Sequence, residues 1–107
     1  MTLVEGCYRF TKDMPREEIY GLTSQIRRSS VSVPANIAEG YGRDSAGSYV
    51  NFLKTAQGSL NELETHLILT QRLKRFDAAT QLLGNADAIG RLLRALMLRS
   101  IENSSER

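Results

Sequence analysis

One histidine and one cysteine in 107 residues leave little from which to build reactive chemistry. His66 follows Glu62 by four residues, so both share a helical face and could touch one metal ion. Two ligands alone make a poor site. A di-iron centre in a helical bundle uses Glu-x-x-His motifs projecting inward, but Leu63 stands three residues before His66. Glu62 and Glu64 project about 160° apart on a helix, so they do not converge as an acid–base pair. Cys7 has no histidine or second cysteine nearby in the sequence and reads as a small core residue. No phosphate-cradling, dinucleotide-binding or nucleophile-elbow glycine motif occurs. Gly40-Tyr41-Gly42-Arg43 is glycine-rich, but it does not lead from a strand into a helix and reads as a turn between helices. The sequence therefore predicts a non-enzyme, with no catalytic residue, metal site or cofactor.

Cations are the remaining polar candidates. Arg27, Arg28, Arg43, Lys54, Arg72, Lys74 and Arg75 could contact phosphates of RNA or DNA, against the plainer reading of a solvated face. The net charge of +2 does not declare a nucleic-acid binder, and the charges are interspersed. Symmetry changes that weighting, because a modest patch repeated around an oligomer becomes a large basic surface. Arg27 projects on an apolar flank that its stem can cover, and Glu64 is its expected ion-pair partner. The alternative to nucleic acid is an assembly module that works through a protein partner.

The elements that must position these residues are helices, since no period-two alternation marks a strand. The first segment runs from about Thr2 to Lys12. The second runs from Pro15 to Ala38 or Glu39 and ends at Gly40 and Gly42. Inside it, Pro34 removes the hydrogen bond to the Ser30 carbonyl, which predicts a kink, or a break with a helical restart. The third starts from a cap at Asp44 or Ser45 and continues to about Arg75, with Tyr49, Leu53, Ala56, Leu60, Leu63 and Leu67 as a heptad-like seam. The fourth starts from Asp77 and ends near Ile101. Residues 1–102 form the expected single domain, and 103–107 a polar tail.

In the fourth helix the apolar residues from Leu82 to Ile101 cover an arc of about 180°, with Leu98 beyond it, more than the ~100° stripe that one core requires. The excess predicts a second subunit, with Leu83, Leu92, Met97, Leu98 and Ile101 as candidate interface residues. One cysteine forms no internal disulfide and suits a reducing compartment. No apolar run approaches the ~18 residues of a membrane span, and the N-terminus has no leader pattern. The expectation is a cytoplasmic protein with no membrane partner.

The run EEIYGLTSQIRRSSVSVPANIAEGYGR, followed by SYVNFLKTAQGSLNELETHL, resembles the four-helix-bundle proteins encoded in intervening sequences of large-subunit ribosomal RNA genes of bacteria. The likeness covers about residues 8 to 102. That family is similar to the accessory variability determinant of diversity-generating retroelements, a basic bundle that works with a reverse transcriptase and nucleic acid. The resemblance implies an all-α, antiparallel up-down-up-down four-helix bundle, assembled as a ring-shaped homopentamer, and supplies no enzyme activity. It places Arg27, Arg28 and Arg43 at basic motif positions, and Pro34, Asn36, Glu39 and Gly40 in the motif core. The chain departs from the family in having no tryptophan near the start of its first helix.

Overall fold

The structure is a computed structural model that describes residues 2–12, 14, 19–74 and 78–105. Its described residues form four α-helices and no strand: α1 (Thr2–Lys12), α2 (Ser24–Tyr41), α3 (Ala46–Lys74) and α4 (Ala78–Ser105). A π-helical turn, Ile19–Thr23, leads into α2. Pro15 and the expected cap Asp77 lie outside the described residues.

The helix boundaries follow local chemistry. The Ser45 hydroxyl accepts the Ser48 N–H at 3.1 Å, so of the two expected caps for α3 it is Ser45 that occupies one of the orphan donors of the first turn. Helix α4 runs to Ser105, past its expected end near Ile101.

Helix α2 is continuous through Pro34, so the expected restart there is not found. The non-helical residue lies earlier, at Gly21 (φ −105°, ψ −109°). Proline's fixed φ is itself helical, so its cost is confined to one missing donor and local crowding. Side chains supply donors on both sides of it. Ser30 Oγ donates to the Arg27 carbonyl at 2.9 Å, and Asn36 Nδ2 donates to the Ser32 carbonyl at 2.8 Å.

Leu53, Ala56, Leu60, Leu63 and Leu67 of α3 are fully buried, as their seam spacing predicts. They pack with Leu3 and Cys7 of α1, Ile26 and Val33 of α2, and Leu82, Ala86 and Leu93 of α4. Specific contacts join neighbouring helices. Arg28 meets Glu62, Ser32 Oγ lies 2.8 Å from Ser59 Oγ, and Gly40 sits against Phe52. Across α3 and α4, Gly90 packs on Leu60, and Gln71 Nε2 donates to Thr80 Oγ1 at 2.7 Å. With 11 residues, α1 is much shorter than the 29 of α3 and 28 of α4, and it seats where Gly6 approaches Leu82.

Candidate interaction surfaces

Arg27 turns toward α1, where its Nε–H donates to Thr11 Oγ1 at 2.8 Å and its guanidinium lies 4.9 Å from the centre of the Tyr8 ring. The expected ion pair with Glu64 is not formed, because Glu64 belongs to the α3–α4 side of the molecule. Burial first, and the charge of Asp87 second, raise the Glu64 carboxyl above its ordinary range, while Arg94 acts in the opposite direction. Helix geometry explains the miss: the α2 flank carrying Arg27 meets α1, whereas α3 reaches α2 through the opposite flank, at Arg28 and Ser32.

Arg28 is bound to Glu62 and to the Gln25 amide oxygen. Its carboxylate partner also lies 3.6 Å from His66 Nε2. His66 Nδ1 is buried without a hydrogen-bond partner. No group of three or more histidine, cysteine, aspartate or glutamate side chains converges among the described residues. Arg43 pairs with Glu39 at 2.6 Å and covers the Phe52 ring at 4.8 Å. Thus three of the seven candidate cations are engaged within the chain, two by carboxylates and one by a hydroxyl and a ring.

Lys54 and Arg72 are exposed on α3. They are spaced by a whole number of helical turns and so share one flank. The side chain of Lys74, and Arg75 altogether, lie outside the described residues. Lys54 borders a groove of about 500 Å³ between the start of α3 and the end of α4, with Val50, Ser100 and Ile101 among its walls.

The five candidate interface residues divide. Leu92, Leu98 and Ile101 are 58%, 61% and 52% exposed, while Leu83 and Met97 are partly buried against the core. Leu92 and Ile101 project about 180° apart on α4. Sequence reasoning missed the exposure of Tyr41, Ile68 and Leu69. The signal for Tyr41 was present, since it stands between two glycines just where a helix ends.

Cys7 is fully buried, and burial pushes its thiol up to about 11, partly offset by a hydrogen bond with Ser30. A thiol held neutral in this way is a poor nucleophile. No helix among the described residues is long and apolar enough to cross a membrane.

These features define an all-helical protein that carries its exposed cations and apolar side chains on the outer faces of the described helices. The 23S rRNA-intervening sequence protein family matches residues 1–95, and the chain belongs to that family. A solved structure of similar fold is a protein of unknown function from the S23 ribosomal protein family of Bacteroides thetaiotaomicron VPI-5482. It is 24% identical, with a TM-score of 0.72 over 90% of this chain and 85% of that one. No curated protein matches the chain.

Proposed function

We propose that this chain is an antiparallel up-down-up-down four-helix bundle that self-associates through α4 and acts by contact rather than by chemistry. Its single domain spans residues 1–102, and its setting is the cytoplasm. The observation that carries self-association is the exposure of Leu92, Leu98 and Ile101 on one helix. Leu92 and Ile101 face opposite ways, so each copy presents two unlike apolar patches. Unlike patches join head to tail, and a head-to-tail contact that closes makes a ring; a ring of five is what the family resemblance adds. The native mass of the purified chain tests this reading, and a well-folded monomer at micromolar concentration overturns it.

Nucleic acid is the ligand we infer for the assembled surface. Lys54 and Arg72 support it: both are exposed on one flank of α3, with no ion-pair partner among the described residues. Repetition around a ring would multiply that flank. Binding of single-stranded RNA or DNA should weaken steeply as salt rises, and the Lys54→Ala, Arg72→Ala double variant should flatten that slope. No retention of either strand type at low salt removes the reading.

The internal engagement of Arg27, Arg28 and Arg43 favours a second reading, a scaffold for a protein partner. Co-purification of one stoichiometric protein without nucleic acid would support it.

A further inference from the structure

The turn between α2 and α3 builds an aromatic pocket that the self-association reading leaves unused. Tyr41, the last residue of α2, is 82% exposed. It is not loose, because its ring stands edge-on to Tyr49 with centroids 6.4 Å apart and an interplanar angle of 86°. The turn beneath it is tightly seated: a Cβ on Gly40 would lie 2.7 Å from Phe52 Cβ and 3.1 Å from Tyr49 Cδ1. The Arg43 N–H donates to the Gly40 carbonyl at 3.1 Å, and the Arg43 guanidinium rests on Phe52. Gly40, Tyr41, Arg43, Asp44, Ser45 and Tyr49 line a pocket of about 250 Å³ at this corner.

Size and lining narrow the ligand. Clefts for drug-sized molecules run from about 300 to 1,000 Å³, so this pocket suits a single planar group. Asp44 in its wall repels a bare phosphate. Beside it, the guanidinium of Arg43 gives the wall both an acceptor and a donor, which suits a heteroaromatic edge that carries both. The charged neighbours Glu39, Arg43 and Asp44 are exposed and make a poor seat for the apolar face of a second copy.

We propose that this pocket receives one unstacked base of single-stranded nucleic acid, with Tyr41 as the stacking platform and Arg43 and Asp44 facing the base edge. The proposal rests on the nucleic-acid reading above and assigns it a contact that Lys54 and Arg72 do not make. Base–aromatic stacking tolerates any sequence, because every base has a π-face.

The test is fluorescence anisotropy of the full chain with labelled single-stranded RNA and DNA of one sequence, the matching duplexes, and inorganic polyphosphate as competitor. Tyr41→Ala is expected to weaken single-strand binding roughly tenfold, with the helical circular dichroism intact. Tyr41→Phe, which keeps the ring, should bind as the native chain does. The salt slope should not change, because a lost stack removes no phosphate contact. The two single strands then report whether the sugar matters, and duplexes should be indifferent to Tyr41. Unchanged affinity in Tyr41→Ala overturns the proposal while leaving the nucleic-acid reading standing. A flattened salt slope in that variant overturns it too, by assigning the corner to phosphate. If the native chain binds neither strand, both readings fall together.

Discussion

Arg27 gives its Nε–H to the Thr11 hydroxyl, and that hydroxyl in turn donates to the Cys7 carbonyl at 2.8 Å. A residue whose type suggests phosphate contact is thereby a fastener between α1 and α2. Thr11 is almost fully buried, so Thr11→Val leaves the guanidinium facing an apolar wall. The expected loss is about 1–3 kcal/mol, read as a lower urea midpoint with an unchanged denaturant slope. Arg27→Lys should also destabilise, because an ammonium reproduces neither the fork geometry nor the stacking on Tyr8. If Arg27 instead served a nucleic-acid ligand, its substitution would lower binding and leave the midpoint in place.

Glycine substitutions should separate a packed contact from an open helix surface. Gly40→Ala forces a Cβ into the backbone-proximal atoms of α3, and overpacking of this kind costs about 1–3 kcal/mol. Gly58 lies within α3 with nothing within 4 Å of its added Cβ. Gly58→Ala should therefore stabilise by about 0.5–1 kcal/mol through helix propensity alone. Thermal melts of the two variants should move in opposite directions. A shared direction would show that the α2–α3 corner is looser than Gly40 indicates.

The contrast between Leu60 and Arg27 marks where the sequence was legible. Leu60 belongs to a seam whose spacing alone puts it in the core, since burial responds to periodicity along one helix. Helix existence and the α3 cap were readable for the same local reason. The partner of Arg27 depends on which neighbour lies beside each flank, a fact of three-dimensional arrangement that one helix's pattern does not contain. Pro34 does not break α2, because its single missing donor is a small defect in a helix otherwise held by packing. Tyr41 stands between two glycines at a turn, where few neighbours are placed to cover a large side chain. Leu83 and Met97 fell on the wide apolar arc of α4, yet the core accommodates both in part, which reduces the surplus to Leu92, Leu98 and Ile101.

Cys7 should be protected from thiol reagents in the folded chain. At pH 8 its neutral, buried thiol should react far more slowly than a model thiol, and urea should restore the rate in step with unfolding. The pH dependence follows from the raised value of about 11 against an ordinary 9.0. Below about pH 9 both states keep the proton and stability is unaffected. Between 9 and 11 the unfolded chain loses it first, so stability falls with rising pH. Cys7→Ser should remove that alkaline component, while Cys7→Ala preserves the apolar site with a smaller volume. Rapid stoichiometric labelling of the native protein would contradict this account of α1.

Glu64 sets a test of the same sign at acid pH. Burial first and Asp87 second raise its carboxyl from the ordinary 4.5, so the folded chain holds this proton more tightly than the unfolded chain. The contribution is fully favourable below the unfolded value and is lost as pH rises through the folded one. At neutral pH the charged carboxylate is therefore a liability. Glu64→Gln should raise the denaturation midpoint at pH 7 and lose its advantage below about pH 4, where the native residue is itself neutral. Arg94 moderates the effect, so Arg94→Ala should widen the gap between native and Glu64→Gln backgrounds at pH 7, and Asp87→Asn should narrow it. A double-mutant cycle on Glu64 and Arg94 measures that coupling directly. Zero coupling would place Glu64 outside the influence of α4 and reopen the question of which helix its carboxylate faces.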